Sequence, residues 1–323
     1  MDLLTWRGRV NSWLNRRRTA TNPLANERAV RPSQPHRTAF VLLGGGARGA
    51  AQAGALRVLL EEGITPNYIV GISAGSWNGA FLAQEPTKEQ TIELENLWQN
   101  TTTVDIVGPR PWRAAINALA QRSSLYGNAG MHRVAERYLG EATFEGLKVP
   151  LHVVATDLKT GNGYIFSKGS ILPAVVASSA MPGVFPPVVT DDTVLIDGGM
   201  AEWSACLDAM QWGATRIVFV ACGGVVGYES RARTVRHVLE RSLEFSIRNA
   251  FDAMTFAMRA SGVDVLPIFP QLPSGTMLDF NEAPAFIEAG ERAARAAIAQ
   301  WKQENAPTAR TMHPAEHDES VGA

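Results

Sequence analysis

The sequence has few cysteines and almost no net charge. It holds two cysteines, Cys206 and Cys222, in 323 residues, and its formal net charge is −1. Two cysteines exclude a disulfide framework, and their spacing provides no zinc site without further ligands. A nearly neutral chain gives no whole-protein electrostatic basis for binding nucleic acid. Both cysteines lie in apolar stretches, so we expect buried free thiols and a reducing compartment, the cytoplasm.

The sequence also lacks an apolar run suited to a membrane span. Residues 171–190 (ILPAVVASSAMPGVFPPVVT) are uncharged and about as long as a spanning helix, but they include four prolines. Each proline removes a backbone donor, which breaks a helix in lipid. We therefore predict a buried segment here. The N-terminus has no unbroken apolar core of the kind found in signal peptides.

Charge is distributed unevenly along the chain. Residues 1–40 hold eight arginines against Asp2 and Glu27, a local charge of +6, which leaves −7 for the remainder. Within residues 1–18, apolar side chains recur at helical spacing between the arginines. This basic amphipathic pattern favours peripheral contact with an anionic membrane surface. A solvated tail, or a segment packed on the domain, is an equally good interpretation.

Short apolar runs alternate with helical patterns along the rest of the chain. Strand-like runs occur at 39–43, 68–72, 151–155, 194–196, 216–221 and 263–268, and helical patterns at 50–62, 74–83 and 234–260. This alternation predicts an α/β fold with a mainly parallel sheet and helices on both faces. Residues 85–145 are helical in pattern and interrupt the alternation, so we expect a helical cap over a site.

Composition shifts divide the chain into three parts. Residues 1–37 form a basic segment followed by a proline-containing linker, and residues 306–323 are a polar tail that we expect to be disordered. The domain between them is predicted to span 38–305.

A serine lies between two glycines where a predicted strand meets a predicted helix. Gly71-Ile72-Ser73-Ala74-Gly75 matches G-x-S-x-G in the strand–turn–helix context that gives this pattern its meaning. Such a corner exposes the seryl oxygen, and the helix directs its amide groups toward a developing anion. The motif therefore predicts a nucleophile; a chance glycine-rich turn is the alternative.

A glycine-rich loop at Gly44-Gly45-Gly46-Ala47-Arg48-Gly49 follows the first strand. It fits a dinucleotide-binding loop, but the acidic residue expected at the end of the second strand is missing. The same amides suit an oxyanion hole. Arg48 either orients the loop, attracts an anionic head group or makes a surface ion pair.

The serine needs a base, and an aspartate is the better candidate. None of the six histidines follows a strand end with a turn motif. Asp197 closes the run Val194-Leu195-Ile196 and precedes Gly198 and Gly199, and groups at strand ends form the sites of α/β proteins. We therefore predict a serine–aspartate dyad; an aspartate that merely caps a turn is the alternative.

Together these motifs resemble the patatin-like phospholipase family. The three signatures, at 44–49, 71–75 and 197–199, occur in the family's order, and the stretches 155–161, 177–187 and 286–290 are also similar to it. The resemblance covers about residues 38–300. One departure follows the Asp-Gly-Gly turn, where the family often has Asn and then Pro and this chain has Trp203 and Ala205.

The resemblance implies a three-layer α/β/α fold and hydrolysis of lipid acyl esters without metal or organic cofactor. It implies that Ser73 is the nucleophile, that Asp197 is its only partner, and that the 44–49 loop is the oxyanion hole. An acyl chain would need an apolar channel, for which Val184, Phe185, Trp98 and Trp112 are candidate linings. Two other functions remain open: a dinucleotide-binding oxidoreductase and a non-catalytic membrane-binding or regulatory module.

Overall fold

The computed structural model describes residues 36–109, 116–117, 123–225, 245, 249, 252–273 and 276–305. Several expectations lie outside these residues: the amphipathic segment and most of the linker, part of the helical region 85–145, most of the helix predicted at 234–260, and the tail. The division into residues 1–37, 38–305 and 306–323 stays a prediction.

Eight strands form one mainly parallel sheet. They are β1 Thr38–Leu42, β2 Tyr68–Ile72, β3 Leu151–Asp157, β4 Gly163–Phe166, β5 Val188–Val189, β6 Val194–Ile196, β7 Arg216–Val220 and β9 Asp264–Ile268. Their order is β5-β6-β3-β2-β1-β7-β9, with β4 paired to β3. The strands β1, β2, β3, β7 and β9 are parallel, whereas β4, β5 and β6 join antiparallel. The strands β8 Gly224–Val225 and β10 Gln271–Leu272 pair separately.

Helices flank the sheet. They are α1 Ala50–Glu61, α2 Ala74–Gln84, α3 Lys88–Asn100, α4 Thr103–Val107, α5 Ala129–Leu139, α6 Ile171–Ser178, α7 Glu202–Gln211, α8 at 252–260 and α9 Ala283–Glu304. Short 3-10 turns occupy Gly46–Gly49, Phe144–Gly146, Gly198–Met200 and Phe280–Glu282.

Alternate residues of the central strands enter two separate hydrophobic clusters. Phe40 and Leu42 of β1 pack with α1, α3 and α9, whereas Ala39 and Val41 pack with α7 and α8. Because successive side chains of a strand point to opposite faces, the two clusters are the two sides of one sheet. Every residue of β1 and β2 is buried, as expected for parallel strands covered on both faces. The predicted three-layer α/β/α architecture is confirmed.

The predicted helical cap is present as α3, α4 and α5. Thr87 accepts a hydrogen bond from the Gln90 amide and begins α3. Thr102 and Asp105 form a reciprocal capping box that begins α4. These caps satisfy amide groups that would otherwise lack acceptors at the helix starts, so local sequence sets where the cap helices begin.

The uncharged run 171–190 does not form one long helix. Its helix, α6, ends at Ser178, ahead of Pro182, and β5 occupies positions 188 and 189. In the described part of the chain, no helix has both the length and the apolar character needed to cross a membrane. Cys206 and Cys222 are buried free thiols, as predicted.

Candidate active site

Ser73 lies at the sharp turn between β2 and α2. Its backbone has φ 50° and ψ −123°, and it is the one non-glycine residue with positive φ in the described ranges. Such a conformation is strained and persists only where neighbouring groups hold it. Here the Ser73 amide donates to Ser178 Oγ at 2.7 Å, and the Ser76 amide donates to the Ser73 carbonyl oxygen at 2.8 Å. The surrounding structure therefore fixes the seryl side chain at the end of β2.

Glycine is required on both sides of Ser73 because backbones approach closely there. A methyl group on Gly75 would overlap the carbonyl oxygen of Leu42 in β1. A methyl group on Gly71 would come within 2.6 Å of the Ser76 Cα atom. The two glycines of the motif thus allow α2 to begin directly against the sheet, with Ser73 at the corner.

Asp197 makes a direct hydrogen bond with Ser73. Its Oδ2 atom accepts from Ser73 Oγ at 2.6 Å, and its Oδ1 atom accepts from the Gly199 amide at 2.8 Å. Thr156 Oγ1 donates to the Asp197 carbonyl oxygen at 2.8 Å, and the Asp197 amide donates to the Ala180 carbonyl oxygen at 2.9 Å. These bonds orient the carboxylate against a serine that is 124 positions away in the chain.

Burial makes Asp197 more basic than an ordinary aspartate. The residue is 6% exposed, and desolvation raises the pKa of its carboxyl group to about 6, against the lowering effect of the hydrogen bonds from Ser73 and Gly199. Among the described residues, no cation forms an ion pair with it. A carboxylate with this pKa is ionised at neutral pH and accepts a proton more readily than an exposed one.

The turn after Asp197 is formed by Gly198 and Gly199. A methyl group on Gly198 would overlap the carbonyl oxygen of Val154, so β3 passes directly beneath the turn. Ala205, which stands where the family often has Pro, is fully buried in α7. The side chain of Trp203 lies outside the described set.

The glycine-rich loop runs beside Ser73. A methyl group on Gly44 would come within 3.1 Å of Ser73 Cβ, and Gly46, with φ 59°, shares a pocket with Ser73. A methyl group on Gly49 would come within 2.6 Å of Ala74 Cβ. Within the described residues, the Gly45 and Gly46 amides donate to no protein acceptor. These amides are therefore available to a bound ligand.

Arg48 is not a surface residue. It is 8% exposed and belongs to the 3-10 turn that leads into α1. The exposed position that a surface ion pair would require is therefore not observed. Its burial fits the alternative in which the side chain helps to orient the loop.

Ser73 lines a pocket of uncharged residues. The pocket encloses about 750 Å³ of atom-free space, part of it open to solvent. Its walls come from α2, from the cap helices, from 179–185 and from 277–280, and the lining residues that the structure describes include no Asp, Glu, Lys, Arg or His. An apolar chain fits these walls, whereas a charged group would be desolvated without a partner.

Sequence reasoning identified only part of this wall. Trp98 and Phe185 line the pocket as expected, Val184 does not, and Trp112 is outside the described residues. Met277 and Leu278 were not foreseen, since they lie about 200 positions after Ser73. The only feature of the sequence that could have indicated a lining role is that both residues are apolar and lie in a loop.

Neither of the two histidines inside described elements, His132 in α5 and His152 in β3, lines this pocket. The His152 ring stacks on Trp212 with centroids 4.0 Å apart, and burial lowers its pKa. His237 is outside the described residues. The described residues contain no group of three or more His, Cys, Asp or Glu side chains able to hold a metal ion.

The chain is similar in sequence to known proteins. The family model described as patatin-like phospholipase matches residues 40–205. Patatin-like phospholipase domain-containing protein 7 of Mus musculus is 28% identical over 187 residues, which are 57% of this chain and 13% of that protein. An uncharacterized NTE family protein of Mycobacterium bovis is 27% identical over 280 residues, covering 80% of this chain and 46% of that protein.

This chain thus spans less than half the length of either curated relative. Among solved structures, VipD from Legionella pneumophila is similar over 83% of this chain and 68% of that chain, with a TM-score of 0.45 and 16% identity.

Proposed function

This chain belongs to the patatin-like phospholipase family, and on that premise we propose that it hydrolyses fatty acyl esters of lipids with a Ser73–Asp197 dyad. The reaction would be of the phospholipase A, lysophospholipase or esterase type and needs no metal or organic cofactor. One observation carries the proposal: the 2.6 Å hydrogen bond from Ser73 Oγ to a buried carboxylate beside an uncharged pocket.

The first half of the reaction forms an acyl-enzyme. Ser73 Oγ attacks the ester carbonyl carbon while its proton passes to Asp197 Oδ2, and the carbonyl electron pair moves onto oxygen. Collapse of this tetrahedral species breaks the ester bond, and the departing alcohol takes the proton from Asp197.

In the second half of the reaction, water attacks the acyl-enzyme and gives a proton to Asp197. That proton returns to Ser73 Oγ as the fatty acid leaves.

The oxyanion needs hydrogen-bond donors, and the amide of Ser73 is already engaged with Ser178 Oγ. The amides of Gly45 and Gly46 have no protein acceptor in the described chain and belong to a loop that borders Ser73. The amino-terminal end of α2 also faces this corner and adds a favourable dipole. We therefore assign the oxyanion hole to the loop 44–49.

The uncharged pocket is the proposed site for the acyl chain. Because none of the described lining residues carries charge, a head group that is ionised would stay outside, where the pocket opens to solvent. Residues 1–18 are the proposed contact with an anionic membrane surface in the cytoplasm, on the strength of their basic amphipathic pattern. Deleting them should lower hydrolysis of lipids in anionic vesicles and spare soluble esters; equal loss on both would contradict this role.

Labelling with a fluorophosphonate probe tests the proposed chemistry most directly. The wild-type protein should be labelled and should release p-nitrophenol from p-nitrophenyl octanoate, and Ser73→Ala should do neither. Circular dichroism would check that the variant is folded. Full activity in Ser73→Ala would overturn the proposed function. Vesicle binding without labelling would favour the non-catalytic module, and a saturable NADH fluorescence titration would favour the oxidoreductase.

A further inference from the structure

A chain of buried hydrogen bonds begins at the pocket wall. The indole Nε1 of Trp98 donates to Asn78 Oδ1 at 2.7 Å. Asn78 Nδ2 in turn donates to Gln52 Oε1 at 2.8 Å and to the carbonyl oxygen of Gly49 at 2.9 Å. Gly49 is the last residue of the glycine-rich loop, so a side chain of the pocket is connected to one end of that loop.

Gln52 continues the connection to the other end of the loop. Its Nε2 atom donates to the carbonyl oxygens of Leu43 and Val220, each at 2.8 Å. Leu43 directly precedes Gly44, and Val220 ends β7. The two amide side chains therefore hold the residues on either side of Gly44–Gly46, and they also tie the loop to the sheet.

The side-chain amides of Gln52 and Asn78 have no solvent-accessible surface. Gln52 and Asn78 are fully buried, and the bonds described use both donors and the acceptor of Gln52. A buried network with satisfied members has one preferred geometry, because any displacement leaves a polar group without a partner. A shift of the Trp98 indole would therefore disturb the bonds that hold the loop backbone.

The Trp98 ring is itself part of the proposed acyl site. It lines the pocket and stacks on Phe280 with ring centroids 6.0 Å apart. Met277, from the same segment as Phe280, lines the pocket too, and its carbonyl oxygen accepts from the Ala47 amide at 2.8 Å. Two walls of the pocket are thus connected to the glycine-rich loop by separate hydrogen bonds. Trp98 is connected through Asn78, and Met277 is bonded directly to Ala47.

We propose that filling the acyl pocket sets the geometry of the glycine-rich loop through Trp98, Asn78 and Gln52. Trp98 contacts the acyl chain, and Asn78 and Gln52 are positioning residues. This inference rests on the proposed hydrolase function. Binding energy from the remote acyl chain is then realised in the transition state, so longer acyl chains raise kcat rather than only lowering KM.

The test compares kcat and KM for p-nitrophenyl octanoate and butyrate. In the wild-type protein we expect kcat to be higher for octanoate. Trp98→Phe keeps an aromatic ring but removes the indole donor, and it should lower the ratio of kcat for octanoate to kcat for butyrate by about tenfold. A wild-type kcat that is independent of chain length would overturn the proposal.

Trp77→Phe is the matched control. Trp77 lines the same pocket and donates its indole N–H at 2.8 Å, but to Ser179 Oγ rather than to the network. This variant should raise KM for octanoate and keep the wild-type ratio of the two kcat values. If both variants change that ratio equally, the network carries no coupling and the effect is loss of pocket shape.

Hydrogen exchange separates failure of the coupling from failure of the hydrolase function. Bound dodecanoic acid should slow amide exchange in peptides covering 43–52 in the wild-type protein and in Trp77→Phe, but not in Trp98→Phe. Equal slowing in Trp98→Phe, or no slowing in the wild type, would overturn the coupling. If the wild-type protein is not labelled and has no esterase activity, the proposed function itself is overturned.

Discussion

Asp197 and Asp264 lie at opposite ends of the parallel strands and have contrasting surroundings. Asp264 begins β9, and it accepts hydrogen bonds from Arg216 Nε and Trp301 Nε1, each at 2.7 Å. The Arg216 guanidinium also lies over the Trp301 ring, 4.7 Å from its centroid. Asp197 follows β6, beside the carboxyl-terminal part of β3, and contacts Ser73 at the end of β2. Among the described residues, it receives hydrogen bonds from a hydroxyl and an amide and forms no ion pair with a cation.

The contrast is between a carboxylate that is paired with a cation and one that is buried without a cation among the described residues. A carboxylate that is held by a guanidinium and an indole is stabilised in its charged form, and it contributes to the free energy of folding. A buried carboxylate without a cation is costly in its charged form, and this cost is the source of its basicity. Perturbed groups of this kind are typical of active sites, which supports the proposed role of Asp197 as the base.

The largest expected effect is on catalysis at Asp197. Asp197→Asn removes the proton acceptor and should lower kcat/KM for p-nitrophenyl octanoate by about 10³-fold or more. Asp264→Asn, the matched change at the other end of the sheet, should stay within a few-fold of wild type. An Asp197→Asn variant with activity within tenfold of wild type would show that the two aspartates do not differ in this way.

The same substitution should increase stability. The pKa of Asp197 is raised from 3.8 to about 6, so the folded state binds more protons than the unfolded state between these values, and stability falls as pH rises through them. At pH 8, Asp197→Asn removes this cost and should raise the free energy of unfolding by up to about 3 kcal/mol. Urea denaturation measures the change. The gain should vanish below pH 4, and a loss of stability at pH 8 would contradict the assigned environment.

Asp264→Asn should act in the opposite direction. It removes the charge that Arg216 faces, and the two side chains are about one-fifth exposed. We expect the free energy of unfolding at pH 7 to fall by about 1–2 kcal/mol, because charge-assisted hydrogen bonds are replaced by neutral ones. Urea denaturation beside Asp197→Asn gives the comparison. Unchanged stability would mean that this cluster is not structural.

The smallest predicted effect is the pH dependence of the proposed activity in the wild-type protein. Because Asp197 must be ionised to accept a proton, kcat/KM should rise with pH around an apparent pKa of about 6. At pH 5 the rate should be about one-tenth of its plateau. Asp264→Asn should show the same profile. A midpoint near 4 would indicate that Asp197 is not desolvated as described.

Local patterns were sufficient to predict the elements that carry the site. The strands 68–72 and 194–196 have the predicted bounds, because a short apolar run ends at a polar residue or glycine in each case. The order of strands was not predictable in the same way. Pairing of β6 with β3, through contacts such as Thr156 with Ile196, depends on residues 40 positions apart, and no local signal encodes it.

For a similar reason, some residues of the candidate site could be predicted from the sequence and others could not. Ser73 and Asp197 are recognisable because each follows a strand within a glycine motif. Gln52 and Ser178 have no such signal, since an isolated polar residue in an alanine-rich or apolar helix is equally compatible with the protein surface. Both are fully buried, and their hydrogen-bond partners come from other elements.

The hydrogen bonds that hold the glycine-rich loop have a consequence for folding during synthesis of the chain. The loop is complete early in translation, but Gln52 requires the carbonyl oxygen of Val220, and Ala47 requires that of Met277. Contacts of such long sequence separation form only after the later segment has left the ribosome. Nascent or truncated chains that already contain Ser73 and Asp197 are therefore expected to be hydrolytically silent until residues beyond 277 have been added.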